Sequence, residues 1–177
     1  MKWPITISFN WLRSGLLTII LGVSSLFCLA QNPTDSVPPD PGAISVYTMQ
    51  NLSFGAFSNG PAGGSISISA NGIRSVSGDV MPLNLGVQYY PASFDIDAPE
   101  GSIISMLNGS NILLTGSNGG SITLELGDSD PPSPFITTVP QPLKTQVNIG
   151  GKLTIGNPSS NPPGTYTGTF YITFNQE

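Results

Sequence analysis

The residues in this chain best suited to chemistry are its carboxylates. Asp95, Asp97 and Glu100 sit close together in FDIDAPE, and Asp128 and Asp130 form a second near pair. Paired carboxylates are the equipment of glycoside hydrolysis, and several oxygens converging from a loop are the equipment of a calcium site. Each reading meets an objection, the first from strand alternation and the second from spacing. Asp95 and Asp97 alternate with Phe94 and Ile96, so a strand turns the carboxylates to the face opposite the apolar one, where charges are ordinarily solvated. The spacing also lacks the glycine and the closing bidentate glutamate of a known calcium loop. A plain acidic surface is the favoured reading, and no catalytic residue, metal ligand or cofactor is assigned.

Other chemistries fall away on residue type alone. The chain of 177 residues has no histidine and a single cysteine, Cys28, which excludes Ser-His-Asp and Cys-His nucleophiles and His-ligated zinc. The glycine-rich pieces at residues 60–64 and 119–120 do not open a helix with Lys followed by Ser or Thr, so they read as hairpin turns rather than phosphate cradles. Only five basic residues stand against ten acidic ones, for a net charge of −5, and two of the five, Lys2 and Arg13, lie in the leader. Nucleic acid is thereby excluded as a partner. The chain is expected not to be an enzyme.

The elements that carry these residues begin after a distinct N-terminal segment. Lys2 and Arg13 precede an apolar run ending in Cys28-Leu29-Ala30, the pattern of a secretory signal peptide over residues 1–30. The run falls short of the roughly twenty residues that span a bilayer, so no membrane span is expected after cleavage. A retained anchor and a lipoprotein acylated at Cys28 are the weaker alternatives, the latter because Phe27 is bulky where a small residue is wanted. Residues 31–42, QNPTDSVPPDPG, carry four prolines and read as an extended tether. Within it Asp35-Ser36-Val37 fits a short pattern that some Gram-negative bacteria O-glycosylate. The expected location is the periplasm, the cell surface or the extracellular space. With Cys28 removed, the exported chain has no disulfide and depends on core packing and sheet hydrogen bonds.

Residues 43–177 read as one all-β domain. Ile66, Ile68 and Ala70 alternate with serines and close on Asn71-Gly72, a pair that favours a hairpin into the next strand. Phe94, Ile96 and Ala98, then Ile122, Leu124 and Leu126, repeat the alternation. Val147 and Ile149, followed by Leu153 and Ile155, flank Gly150-Gly151. Asn-Gly pairs at Asn59, Asn71, Asn108 and Asn118 offer turns where positive φ is cheap. No long helix is expected. The strongest strand signal is the last, residues 164–176, with Tyr166, Gly168, Phe170, Ile172 and Phe174 on one face and Thr165, Thr167, Thr169, Tyr171 and Thr173 on the other.

Several landmarks line up in order: NLSFGAF at 51–57, SISISANGIRSVSGDV at 65–80, PASFDI at 91–96, IGGKLTIG at 149–156 and GTYTGTFYITF at 164–174. Together they resemble the bacterial secreted family known as domain of unknown function 4402, over roughly residues 46–174. The aromatic last strand is more loosely similar to spore-coat protein U and to chaperone-usher pilin-like domains. The resemblance implies an exported, immunoglobulin-like antiparallel β-sandwich, with Gly150-Gly151 in a hairpin. The family brings no established catalytic residue. The proline-rich stretch 128–142 departs from the pattern and reads as an enlarged loop.

Two classes of function follow. The first is a structural or adhesive surface protein, in its concrete form a fimbria-like subunit joined to itself or to other surface subunits by strand addition. Residues 44–54, in which Ile44, Val46 and Thr48 alternate, either add to a neighbour's sheet or form the domain's own first edge strand, the latter being favoured. The alternative class is a monomeric secreted binding module that presents residues 108–120 and 128–142 to a carbohydrate or protein, with Tyr89-Tyr90 as a stacking platform.

Overall fold

The computed structural model describes residues 42–177. The expected leader with Cys28, and the tether to residue 41 with Asp35-Ser36-Val37, lie outside the described residues. From Gly42 onward the chain is strand and turn, with no helix among the described residues. The order begins β1 (Ser45–Gln50), β2 (Ser53–Phe54), β3 (Phe57–Ile68), β4 (Arg74–Pro82), β5 (Tyr89–Tyr90) and β6 (Ala92–Asp97). It continues β7 (Ile103–Asn108), β8 (Ile112–Gly116), β9 (Ser121–Asp130), β10 (Phe135–Ile136), β11 (Thr145–Ile155), β12 (Tyr166–Thr167) and β13 (Ile172–Gln176).

All pairings are antiparallel, and β11 organises them. Its first half, Thr145 to Ile149, pairs with β6, its second half, Gly151 to Ile155, with β3, and its other side with β9. The hairpin expected at Gly150-Gly151 is not there, because the strand runs straight through. A Cβ on Gly150 would stand 2.3 Å from Ile68 O, and one on Gly151 would stand 2.9 Å from Leu52 Cδ2. The glycines therefore serve close packing at the point where β11 changes neighbours. The Asn71-Gly72 hairpin between β3 and β4 forms as expected, with Gly72 at φ 77° and Ile66 facing Val76 across the ladder.

The large sheet, ordered β1-β6-β11-β9-β8-β12 with β3 and β4 branching from β11, curls against a second sheet, β10-β7-β13. The result is the antiparallel β-sandwich read from the sequence, with a core in two parts. One gathers Ile66, Ile68, Leu114, Ile122, Leu124 and Leu153, and the other Phe94, Ile96, Ile104, Phe135, Val147 and Ile149. Leu52 and Phe170 pack against both. Full burial of each such side chain contributes on the order of 1.5–3 kcal/mol.

The final strand keeps the predicted faces but not its continuity. Tyr166, Phe170, Ile172 and Phe174 turn to the core, and Thr165, Thr167, Thr169, Tyr171 and Thr173 are exposed. Pairing breaks between Thr167 and Ile172, so that β12 completes the large sheet on β8 while β13 joins the small sheet on β7. The chain must bend here to follow the neighbouring strand from one sheet to the other. Gly168 lies against Leu114, whose Cδ2 would be 2.7 Å from an added Cβ.

Two expected loops each include strand residues. Residues 108–120 contain β8, and 128–142 contain the end of β9 and β10, with Phe135 and Thr137 buried. Thr137 is held by its Oγ1 donating to Pro99 O at 2.6 Å and accepting from Ser102 N at 3.0 Å. The turn before β12 is anchored by Asn161, which is 4% exposed. Its Nδ2 donates to Ser121 O at 2.6 Å and Ser160 O at 3.0 Å, and its Oδ1 accepts from Gly156 N. The first and last strands end at one place: Ser45 pairs with Asp97, and Glu177 N donates to Ile103 O at 3.0 Å across the turn that follows.

Candidate functional site

Of the carboxylates singled out in the sequence, Asp95, Asp97 and Asp130 lie on the outer face of the large sheet. Asp95 and Asp97 are half-buried there, opposite the buried Phe94 and Ile96, as the alternation requires. Asp97 Oδ1 accepts from Gln141 Nε2 at 2.8 Å, while Asp95 has Tyr47 and Gln146 as cross-strand neighbours. Glu100 is exposed in the following turn, Asp128 is exposed within β9, and Asp130 is exposed at its end, facing Asn148. Among the described residues these groups form no cluster of three or more metal-ligating side chains.

Tyr89 and Tyr90 do not form a paired platform. They occupy β5 on successive sides, Tyr89 exposed and Tyr90 half-buried, as a strand dictates. Tyr89 carries the Arg74 guanidinium 5.1 Å from its ring centroid, and Arg74 Nη2 donates to Ala56 O. Burial pulls the Arg74 pKa below its usual value, and Tyr89 offsets part of that pull. Every second residue from Met81 to Tyr89, namely Met81, Leu83, Leu85, Val87 and Tyr89, is an exposed large hydrophobic.

Residues 44–54 resolve in favour of the domain's own edge. β1 pairs with β6 from Ser45↔Asp97 to Gln50↔Ser93. It contributes little to the interior, since Val46, Tyr47 and Met49 are exposed and Ile44, just ahead of the strand, is half-buried against the core. The other terminal strand, β13, pairs only with β7 among the described residues. Tyr171 O accepts from Gly109 N and Glu177 N donates to Ile103 O, both on the β7 side. By strand alternation the backbone groups of Ile172, Phe174 and Gln176 point outward from the sheet edge. The side chains of Ile172 and Phe174 are only half-buried, although Phe174 packs on Phe94 with ring centroids 5.7 Å apart.

A feature that sequence reading missed lies beside the carboxylates. Four carboxamides, Gln50, Asn71, Gln146 and Asn148, line a cleft of about 520 Å³ with the buried hydroxyl of Ser93. They arrive from β1, the β3–β4 turn and β11, on either side of β6. A register shift between Thr48 and Gln50 re-aims the end of β1 toward it. Gln50 Nε2 donates to Pro91 O at 2.9 Å and Gln146 Nε2 to Ser93 Oγ at 2.8 Å, which fixes two of the amides. Met49, Ala70 and Pro91 supply the apolar part of the wall. No signal in the sequence marked these residues, because each amide stands alone in its own segment and reads as turn or solvated surface.

A family profile described as "Domain of unknown function (DUF4402)" matches residues 44–175, from the residue before β1 to the last but one residue of β13. No curated protein and no solved structure matches the chain. On the extent of that match, which takes in the large sheet, the small β10-β7-β13 sheet, the short β2-β5 pair and both parts of the core, the chain belongs to the DUF4402 family.

Proposed function

We propose that the chain is an exported, non-enzymatic structural or adhesive protein of the cell surface, a fimbria-like subunit that joins other subunits by strand addition. The observation that carries this reading is the open edge of β13. Its outward backbone groups lack partners among the described residues, and its inward Ile172 and Phe174 are incompletely covered. An added strand supplies both the missing ladder and the missing burial. The spaced apolar residues from Met81 to Tyr89 are further exposed contact surface. Export is supported by the first thirty residues, and a non-enzymatic role by the absence of histidine and by carboxylates that sit on an open sheet face.

The test is light scattering after gel filtration on the chain beginning at Gln31, over a range of concentrations. Mass should rise with concentration. Thr173→Lys and Gln176→Pro should each return the chain to monomer with little loss of stability. The first places a charge on the edge, and the second removes an outward N–H without touching the β7 ladder. A monomer at every concentration, or assembly indifferent to both variants, would turn the reading toward a monomeric secreted binding module.

A further inference from the structure

The geometry points to the amide-lined cleft on the outer face of β1, β6 and β11 as a binding site for a neutral carbohydrate. This deepens the adhesive part of the reading above but does not depend on how the chain assembles. The volume, about 520 Å³, is that of a small-molecule site. Its lining differs from the mostly apolar wall of such sites, which selects a hydrophilic ligand.

Charge narrows the choice. Among the described residues no Lys, Arg, Asp or Glu lines the cleft, so neither a phosphate nor a bare cation finds its usual partners there. Asp95, beside Gln146, and Asp130, opposite Asn148, flank it and disfavour an anionic ligand, acidic sugars included.

The amides then define the complement. Each carboxamide presents a donor and an acceptor in one plane, suited to neighbouring hydroxyls that also donate and accept. Gln50 and Gln146 have their amide nitrogens engaged, which leaves their carbonyl oxygens to receive ligand hydroxyls. Asn71 and Asn148 show no side-chain hydrogen bond among the described residues, so both ends of each amide are available. Met49 and Pro91 offer apolar surface to the C–H face of a sugar ring. A fixed pair and a free pair of amides arranged around a hydroxyl suit a polyhydroxylated neutral ring better than an extended peptide, whose few backbone groups are spaced along a line.

The experiment is a titration of the full chain, 15N-labelled, with four neutral trisaccharides: maltotriose, cellotriose, mannotriose and chitotriose. At least one should give saturable shifts at the amides of Gln50, Asn71, Gly72, Ser93 and Asn148 by about 10 mM. Asn148→Ala should weaken that binding about tenfold, the value of one good hydrogen bond, with an unchanged melting temperature. Gln146→Ala, at an exposed side chain, gives a second reading should Asn148→Ala fail to fold. The proposal is overturned if all four sugars leave these amides unmoved, if triglycine shifts them and the sugars do not, or if neither variant changes the affinity. Repeating the titration on Thr173→Lys separates the outcome from that of assembly, since loss of polymerisation with retained sugar shifts leaves this site standing.

Discussion

Replacing Asn161 with alanine should be among the most damaging single changes outside the two apolar clusters. The side chain is 4% exposed and makes three hydrogen bonds, accepting from Gly156 N and donating to Ser121 O and Ser160 O. These tie the end of β11 to the start of β9 and to the turn that leads into β12. Alanine leaves Gly156 N–H and Ser121 C=O without those partners. Each of these part-buried polar groups so stranded costs about 1–2 kcal/mol, the low end of the penalty for a buried one, so the sum is about 2–4 kcal/mol. For a domain of this size that lowers the melting temperature by about 10 °C, read by thermal unfolding followed by circular dichroism. Asn161→Asp gives a sharper test. The carboxylate still accepts from Gly156 N but sets a second negative oxygen against Ser121 O, so at neutral pH it should cost at least as much as alanine. Protonation restores a donor, which raises the folded-state pKa of the introduced group above its unfolded value. Stability of Asn161→Asp relative to Asn161→Ala should therefore be greatest in acid and decline as pH rises through that raised pKa. A loss under about 1 kcal/mol for alanine, or no pH-dependent difference between the two variants, would refute the reasoning.

Three further outcomes rest on the same geometry. Gly150→Ala should cost about 2–4 kcal/mol in urea unfolding, since its Cβ would lie 2.3 Å from the backbone oxygen of Ile68 and overpacking there cannot relax through a side chain. Phe170→Ala should cost about 2–3 kcal/mol, reduced from the fully buried value because Phe170 is half-buried; since Phe170 touches both clusters, fluorescence and circular dichroism should still report one coincident transition. Arg74→Lys should cost about 1 kcal/mol by thermal unfolding, because one ammonium cannot reproduce both the bond to Ala56 O and the stacking on Tyr89.

What the sequence made legible was the part governed by side-chain alternation. Ile66 and Ile68, Phe94 and Ile96, and Ile122 and Leu124 recur at period two because one face of each strand is buried and the other wetted, and all six are buried in the fold. The same rule located Asp95 and Asp97 on the outer face. It fails where a residue's role is set by what approaches from elsewhere in the chain. Gly150-Gly151 looks like a turn in sequence and is a strand crossing point, because only the arrival of β3 and Leu52 shows why a Cβ is excluded. Phe135 and Thr137 sit among prolines and read as loop, yet their partners in β7 and in the turn at Pro99 and Ser102 draw them inside. Asn161 and the amides of the cleft are the extreme case. A carboxamide suits a turn, a solvated face or a buried cross-link equally well, so its chemistry alone does not choose among them.

The meeting of the first and last strands bears on how this domain would carry mechanical load. With Ser45 opposite Asp97 and Glu177 bonded to Ile103, a pull applied through the two ends enters and leaves at a single corner. Each terminal strand is antiparallel to its partner and is gripped from its outermost pair, so tension acts on one rung of the ladder at a time rather than shearing the whole ladder together. The part of the core built on Ile66, Leu124 and Leu153 lies outside that path. Under traction β1 and β13 should peel first as compliant end pieces, while β3, β9 and the second half of β11 remain a folded knot from which the chain can re-form.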